Sequence, residues 1–330
     1  MRPLSTALYV FIIFAYFGLY WITIYLVQKN RINQKQLWKT IIAIVVILLV
    51  AYPAFSYDIF NYMFSAKVVL VYGKNPYLVK PLDFVGIESW LGFMRWTHLP
   101  TAYSPFWTLL SLFPYYFGLG YFLIILWNTK LLFAGFYILV IWSIEKIQLL
   151  TDKTNSTLSI AVFALNPLVI VESLVSPHND IVMMGFSLLA VYFLYRNKIN
   201  TSYLVLGLSA SFKTMTMFLF PAFVFWRKKI YMLIFMFIAL IVGFVRKEMF
   251  PWYFLWVIPY IALIPKKNLI YISTGISMGL LLSYAPYLFF GDYSEKMLGV
   301  RQIVTWVPII ISVFFCFLKG SVNKFLALKK

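Results

Sequence analysis

Apolar runs of about 20 residues recur along this chain, and they limit its fold more than any other feature. As a helix, such a run crosses the roughly 30 Å hydrocarbon layer of a membrane. Runs of this length fall near residues 4–27, 37–55, 119–142, 157–176, 229–245 and 268–290, and shorter or interrupted ones near 103–118, 181–195, 201–225, 250–264 and 302–318. Only 12% of the residues are charged, against about 25% in soluble domains. We therefore predict an all-α polytopic membrane protein, one domain over residues 1–330, with about nine to eleven transmembrane helices.

The lysines and arginines indicate how the chain is oriented in the membrane. Loop 28–39 contains Lys29, Arg31, Lys35 and Lys39. Placing this loop in the cytoplasm also leaves most other basic residues in cytoplasmic loops, as the positive-inside rule requires. The formal net charge of +18 is then explained by the lipid bilayer, and nucleic acid is excluded as a partner. We predict a multi-pass protein of a prokaryotic plasma membrane.

This orientation brings several polar segments to the non-cytoplasmic face. They are the first external loop 56–102 with its interfacial helices, the turn 176–180, Lys213 and the turn 246–252. Charged groups at membrane depth cost about 2.5 to 3.5 kcal/mol each, so they usually face a cavity and serve a function. We therefore expect the active site on the non-cytoplasmic side. The single cysteine, Cys316, excludes an internal disulfide and a thiolate metal cluster.

Asp58 opens a predicted helix over residues 58–72. In that helix Asp58, Asn61, Tyr62 and Ser65 share one face and apolar side chains share another, which is typical of a helix that lies on a membrane. Asp58 has two interpretations. It is a solvated acid or a cap at the end of a span, or it is a general base that takes a proton from an attacking hydroxyl.

A second polar group of residues follows the Asn-Pro break at 166–167. Glu172 lies near the end of a span, and His178, Asn179 and Asp180 form the turn after it. These residues predict either a substrate-binding cluster or a hydrogen-bonded turn that caps the next helix. His178 and Asp180 offer ligands for a hard divalent cation, but a chain with two histidines does not indicate zinc. We predict no metal and no cofactor.

Two cations are candidates for binding an anionic substrate group. Lys213 lies between two half-length pieces of the run 201–225, with Thr214 and Thr216 near the start of the second piece. A helix start there would add backbone N–H groups that favour an anion. Arg246 precedes an aromatic run and offers a fork of donors that matches phosphate. The alternative for both side chains is to reach the lipid headgroups.

The segment 96–105 is rich in aromatic residues and proline and returns the chain to the membrane. It contains Tyr103, which we count among the substrate-binding candidates. It also contains His98, which either lies beside Asp58 or lies at the membrane interface. Aromatic residues at interfaces are common, and they make up 21% of this chain, so they indicate little by themselves.

The order of these motifs resembles a known family. The order is Asp58 after an early span, G-K-N-P-Y at 73–77, Y-x-P at 103–105, N-P-L-x-x-x-E with H-N-D at 166–180, a lysine before a proline-containing helix, and P-W-Y at 251–253. This arrangement resembles the integral-membrane GT-C glycosyltransferases, and most closely the polyprenol-phosphate-mannose-dependent mannosyltransferases. The likeness runs roughly from residue 40 to residue 265.

The resemblance implies a GT-C-like helix bundle and a specific reaction. The enzyme would invert configuration while moving a hexose, with mannose favoured, from a polyprenyl-phosphate donor to a glycan or lipid-linked acceptor on the non-cytoplasmic face. Asp58 would be its catalytic base, and Asp180 and Glu172 would match acidic residues of the second external loop. The chain departs from the family because Ile59 and Phe60 follow Asp58 where a D-D or D-x-D pair is found. That departure argues against a metal-dependent mechanism, and the shortness of the chain leaves the acceptor open.

Two other classes of function fit parts of the sequence. A transporter or lipid flippase would also need broken helices and intramembrane charges. Against it, the hydropathy shows no two-fold repetition and the polar groups gather at one face rather than at the midplane. A non-catalytic subunit of a membrane complex is a third interpretation, because the chain is short.

Overall fold

The structure is a computed structural model that describes residues 2–246, 248–291 and 295–328. Within these ranges the chain forms α-helices joined by short turns. The helices are α1 (Arg2–Gln28), α2 (Gln34–Leu49), α3 (Asp58–Leu70), α4 (Pro105–Tyr116), α5 (Phe122–Thr151), α6 (Ser156–Ala164), α7 (Pro167–Ile170), α8 (Asp180–Tyr195), α9 (Ile199–Phe212), α10 (Lys229–Arg246), α11 (Ile258–Ala262), α12 (Lys267–Leu282), α13 (Tyr284–Phe290) and α14 (Glu295–Leu328). The predicted all-α class is confirmed.

Several helices are suited to a membrane. Among the described residues, four stretches are long and apolar enough to cross it: Arg2–Gln28, Phe122–Thr151, Lys267–Phe290 and Met297–Leu318. A bent pair of helices, Lys153–Ala164 and Pro167–Val175, would make a fifth. Other apolar helices, such as α8, are shorter than such a span. The chain is a polytopic membrane protein, and the count of nine to eleven crossings stays a prediction.

Short 3-10 and π-helical segments interrupt the longer helices. The 3-10 segments are Pro81–Phe84, Ser89–Phe93, Lys153–Asn155, Thr214–Leu219 and Pro251–Trp256, and the π-helical segments are Val171–Val175 and Ala222–Trp226. The predicted division of the run 201–225 at Lys213 is confirmed, because α9 ends at Phe212 and Lys213 has an extended backbone.

The Asn-Pro break is the bend that matters most for the site. The chain bends by 58° between the helical parts on either side of this break. Asn166 caps α7, since its side-chain oxygen accepts a hydrogen bond from the backbone N–H of Leu168 (3.0 Å), and Pro167 takes the first helical position, where its missing N–H costs nothing. The π-helical turn Val171–Val175 then leads into residues 176–179. The break and the wide turn together fix where Glu172 points.

Helix α3 lies inside the protein. Its bounds confirm the predicted helix to within two residues. Asn61, Tyr62 and Ser65 are buried together with the apolar side chains of the other face, because α4 and α5 both pack against the helix. Protein therefore covers both faces of the helix, and its position along the membrane surface stays a prediction.

Helix α4 folds back along α5 as a helical hairpin. The ring of Trp107 lies 5.3 Å from that of Phe133, while Asn128 Nδ2 donates to the carbonyl of Pro114 (3.4 Å), so the two helices are antiparallel. The turn between them uses Gly120 at a φ of 81°, a conformation that glycine adopts without steric cost. The hairpin brings the start of α4, and the residues just before it, against α3.

A groove of about 690 Å³ runs along this hairpin. Its lining includes Phe113 of α4, Phe117 directly after that helix, and Leu131, Gly135 and Phe136 of α5. A Cβ atom added at Gly135 would have no other atom within 4 Å. The groove is therefore an apolar channel on the outside of the helix bundle, apart from the acidic residues predicted to form the site.

The end of α2 is attached to α5 through a buried lysine. Lys130 Nζ donates to the carbonyl oxygens of Leu48 (2.7 Å) and Ala51. The last carbonyls of a helix lack partners within the helix, and a cation there also complements the helix dipole. Lys130 therefore terminates α2 and holds the start of the segment that leads to Asp58.

The segment between α3 and α4 is organised around Glu88, whose side chain is buried. Glu88 Oε2 lies 2.7 Å from Lys67 Nζ and accepts a hydrogen bond from the Tyr72 hydroxyl (2.9 Å), while Oε1 accepts one from the backbone N–H of Trp90 (2.9 Å). Burial alone would raise the pKa of Glu88, but these hydrogen bonds outweigh it and lower the pKa below its usual value. This charged contact fixes the segment that covers α3.

Candidate active site

The turn at 176–179 meets the segment around α3 directly. The backbone N–H of Phe55 donates to Ser176 Oγ (2.9 Å). The backbone N–H of Asn179 in turn donates to the Tyr62 hydroxyl (3.4 Å). Two polar segments that lie far apart in the sequence are thereby joined.

Asp58 stands at the point where these segments meet. It is the first residue of α3, and Tyr57 rather than Asp58 is the N-cap of that helix. The carboxylate lies where the helix dipole favours a negative charge. Its Oδ2 atom lies 3.8 Å from Nε2 of His178. The alternative interpretation of Asp58 as a cap is therefore wrong, and its side chain faces the second polar segment.

His178 is held between two acids and an indole. Its Nδ1 atom lies 3.0 Å from Oε2 of Glu172, and its ring stacks on Trp252 with the centroids 4.0 Å apart and the planes at 16°. Glu172 also accepts a hydrogen bond from the Tyr284 hydroxyl (3.1 Å). These contacts hold the imidazole in one orientation between Glu172 and Asp58.

Asp180 is bound on both of its carboxylate oxygens. Its Oδ2 atom accepts a hydrogen bond from Lys213 Nζ (2.6 Å), and its Oδ1 atom accepts one from Trp256 Nε1 (2.5 Å). A buried carboxylate needs this pairing, because an isolated charge away from water is very costly. Lys213 reaches Asp180 because α9 ends one residue before it.

Tyr103 completes the side of the site nearest α4. Its ring packs edge-on against Tyr62 at 4.6 Å. Burial raises the pKa of the Tyr103 hydroxyl well above its usual value, and the charge of Asp58 and a hydrogen bond to that carboxylate raise it further. The hydroxyl therefore stays protonated and donates to Asp58.

We call Asp58, Glu172, His178, Asp180 and Lys213 the charged cluster. The side chains of Asp58 and Lys213 are 18% and 29% exposed, whereas those of Glu172, His178 and Asp180 are 1% exposed or less. A molecule arriving from outside would thus meet a carboxylate and an ammonium group first. The buried members of the cluster hold these two groups in place.

The remaining predicted site residues have different surroundings. Asn179 is buried and contributes its backbone N–H. His98 is exposed and its ring contacts Trp96 (6.3 Å), so the structure does not bring it to the charged cluster. The side chain of Arg246 lies outside the described part of the structure.

Sequence reasoning missed several aromatic residues that contact the charged cluster. They are Trp252, Trp256 and Tyr284, each of which contacts one member of the cluster. The P-W-Y motif at 251–253 was the signal for Trp252. The others had none, because an aromatic residue in an aromatic-rich chain does not stand out.

The described residues contain no group of three or more His, Cys, Asp or Glu side chains arranged to hold a metal ion. What the cluster offers instead is a partly exposed base, a partly exposed cation and a buried imidazole between acids. Such groups suit proton transfer and the binding of an anionic group.

Comparison with known proteins identifies the family. No curated protein and no solved structure matches the chain. Residues 1–228 match the family described as alpha-(1->6)-mannopyranosyltransferase, N-terminal domain, and this range includes every member of the charged cluster. The chain therefore belongs to the alpha-(1->6)-mannopyranosyltransferase family and is a glycosyltransferase.

Proposed function

We propose that the protein transfers mannose, with inversion of configuration, from a polyprenyl-phosphate donor to a glycan or glycolipid acceptor. The transfer would take place on the non-cytoplasmic side of a prokaryotic membrane, by a helix bundle of the GT-C type. The observation that carries the proposal is the pair of exposed groups in the charged cluster, Asp58 and Lys213. The mannosyltransferase family supports the choice of sugar.

Asp58 is the base in this reaction. As the acceptor oxygen bonds to the anomeric carbon, its proton moves to the carboxylate of Asp58, and the bond between that carbon and the phosphate oxygen breaks. The electron pair leaves with the polyprenyl phosphate. Phosphate is a good leaving group, so one carboxylate is enough where a glycoside hydrolase uses two. Attack from the face opposite the phosphate gives the inverted product.

Lys213 holds the phosphate as negative charge builds on it. An ammonium group has three donors, and one of them is on Asp180. The others remain for phosphate oxygens. Asp180 and Trp256 therefore position Lys213 rather than contact the substrate. Arg246 is a second phosphate-binding candidate, and Tyr103, which hydrogen-bonds to Asp58, is a candidate for binding sugar or acceptor hydroxyls.

The groove between α4 and α5 fits the prenyl chain of such a donor. An apolar chain needs an apolar surface that is open to the bilayer, and Phe113 and Leu131 in this groove are exposed. A line of rings joins the groove to the cation. Phe136 contacts Phe186 (5.1 Å), and Phe186 stacks on Phe212 (5.3 Å), the residue before Lys213. This continuity supports a donor whose phosphate lies at Lys213.

The test is a transfer assay in proteoliposomes with radiolabelled polyprenyl-phosphate mannose and an oligomannoside acceptor. Wild-type protein should give a covalent product whose anomeric configuration is opposite to that of the donor. Asp58→Asn should abolish the product without loss of donor binding. Asp83→Asn, an exposed acid in the same external segment, is the matched control and should retain activity. Full activity of Asp58→Asn, or exchange of the lipid across the bilayer without product, would contradict the proposal.

A further inference from the structure

Three members of the charged cluster form a line from the protein interior to the exposed carboxylate. Glu172 Oε2 lies 3.0 Å from His178 Nδ1, and His178 Nε2 lies 3.8 Å from Asp58 Oδ2. Exposure of the side chains rises along the line, from 0% at Glu172 to 1% at His178 and 18% at Asp58. The imidazole thus connects a fully buried acid with the base of the proposed reaction.

The imidazole is fixed in a position that packing alone does not explain. Trp252 stacks on its face, and the backbone N–H of His178 donates to the carbonyl of Glu172 (3.0 Å). Both ring nitrogens are buried and neither makes a well-aligned hydrogen bond. A buried polar group without a hydrogen bond destabilises the folded protein, and an apolar residue at this position would avoid that loss. Both nitrogens instead face carboxylates.

We propose that His178 receives the proton that Asp58 takes from the acceptor hydroxyl, and that Glu172 is the positioning residue that stabilises the imidazolium. The inference rests on the transferase function proposed above. It goes beyond that function because it gives Glu172 and His178 a role in proton transfer, where the sequence indicated contact with substrate.

The proton passes from the acceptor hydroxyl to Asp58 and then to His178. In the neutral imidazole Nδ1 keeps its proton and points it at the carboxylate of Glu172, so the lone pair of Nε2 faces Asp58. The proton from the acceptor first moves to Asp58, and a small movement of that side chain brings Oδ2 from 3.8 Å to hydrogen-bonding distance. The proton then passes to Nε2. Asp58 is a carboxylate again, His178 carries the positive charge beside Glu172, and the proton later leaves through Asp58 to solvent.

The relay makes a weak base more effective. Carboxylic acids ordinarily have a pKa near 4 and imidazoles one near 6.5. A proton resting on the imidazole is therefore less inclined to return to the new glycosidic oxygen than one left on the carboxylate. The carboxylate of Glu172 adds to this preference because it favours the charged ring.

The other groups that face Glu172 leave its charge available to the ring. Tyr284 donates a hydrogen bond to Oε1, and the Tyr9 hydroxyl from α1 lies close enough to Glu172 to interact electrostatically. Asp180 also lies near Glu172, but its charge is paired with that of Lys213. The second oxygen of Glu172 remains directed at His178.

Two tyrosines face the other end of the line. Tyr103 hydrogen-bonds to Asp58, and Tyr62 lies near enough to Asp58 to interact electrostatically. Both hydroxyls are neutral at physiological pH, since the ordinary pKa of tyrosine is near 10 and burial raises that of Tyr103 further. In the working pH range the line therefore has one imidazole between two acids.

The test is the pH dependence of kcat/KM in the same proteoliposome assay. For the wild type we expect an acid limb in the profile, below which the protonated relay can no longer accept the proton from Asp58. Glu172→Gln keeps an oxygen for Nδ1–H but removes the charge. It should lower kcat about tenfold to a hundredfold, leave KM for the donor within about twofold, and move the acid limb lower by about one pH unit.

Two further variants separate proton transfer from structural support. His178→Asn should be slow, with its acid limb at a lower pH than that of the wild type. Tyr284→Phe removes one hydrogen bond from Glu172 but leaves its charge. It should lower thermal stability and leave the acid limb where the wild type has it.

The outcomes distinguish the two proposals. An acid limb that stays in place in both Glu172→Gln and His178→Asn, with only thermal stability reduced, would overturn the relay and leave Asp58 as the base. Full activity of Asp58→Asn, or wild-type protein that forms no product at any pH, would overturn the proposed function and the relay with it.

Discussion

Lys213 Nζ lies 2.6 Å from Oδ2 of Asp180, and the two partners differ sharply in exposure. The Asp180 side chain is fully buried and the Lys213 side chain is 29% exposed. Breaking the pair therefore has different consequences for each partner. A buried charge left without its partner is strongly destabilising, whereas a charge that water reaches is less so.

We expect Lys213→Met to lower the free energy of unfolding by about 3 to 5 kcal/mol, because it leaves the Asp180 carboxylate buried without its cation. Asp180→Asn should cost less, since water reaches the lysine. The double variant should be more stable than Lys213→Met alone. Thermal unfolding of all three in detergent gives the comparison, and equal losses in the two single variants would contradict this account of the pair.

The groove between α4 and α5 can be filled without disturbing its walls. Gly135→Leu places its Cβ atom where no other atom lies within 4 Å, and leucine favours a helix more than glycine does. If the prenyl chain lies in this groove, the variant should raise KM about tenfold, or about 1.4 kcal/mol, for a long-chain donor but not for a short-chain one. Gly207→Leu, which has equally open surroundings outside the groove, is the control. Equal KM values for the long-chain donor in both variants would place the chain elsewhere.

The contact between Glu88 and Lys67 should make stability depend on pH. The pKa of Glu88 is lowered in the folded protein, so its contribution is present above the unfolded pKa of about 4.3 and is lost as pH falls through the folded value. Glu88→Gln should therefore have a lower Tm than wild type at pH 7, and the difference should shrink below about pH 4. Tm measured against pH for both proteins, with Asp83→Asn as the control, tests this. A difference that does not change with pH would rule the contact out as its source.

Lys130 supports the segment that leads to Asp58. Lys130→Met removes the ammonium donor from the carbonyls of Leu48 and Ala51. The Leu48 carbonyl keeps the backbone N–H of Ala51 (3.1 Å), whereas the Ala51 carbonyl loses its side-chain donor, and a carbonyl left without a partner away from water costs about 1 to 3 kcal/mol. We expect a loss of stability of that size and a lower kcat, because the segment before α3 is no longer held. Lys153→Met, on the exposed turn before α6, is a control that should change neither Tm nor kcat. Unchanged kcat in Lys130→Met would show that Asp58 is placed by other contacts.

The sequence predicted which segments meet, but not which atoms do. Helix α3, the break at 166–167, the turn after Glu172 and the break at Lys213 all follow from local signals that the structure confirms. The side-chain pairs could not be predicted from such local signals. No local pattern shows that Lys213 reaches Asp180, or that Lys130 finds the end of α2, because these contacts depend on how the helices pack.

Burial was also beyond sequence reasoning. The polar face of α3 predicts contact with water or headgroups, yet α4 covers it, because the hairpin of α4 and α5 folds back over that face. His98, in contrast, was predicted as a site residue and is exposed. It resembles a site residue by composition, but the structure leaves it exposed beside Trp96.

Two indole rings tie the C-terminal part of the chain to the charged cluster. Trp252 stacks on His178 and Trp256 hydrogen-bonds to Asp180, and both lie after residue 228, where the family match ends. A hybrid that joined residues 1–228 to the remainder of another protein would keep every charged side chain and still lose the rings that hold two of them. Such a hybrid would retain the reactive groups without their alignment, unless its new half supplied aromatic side chains at both places.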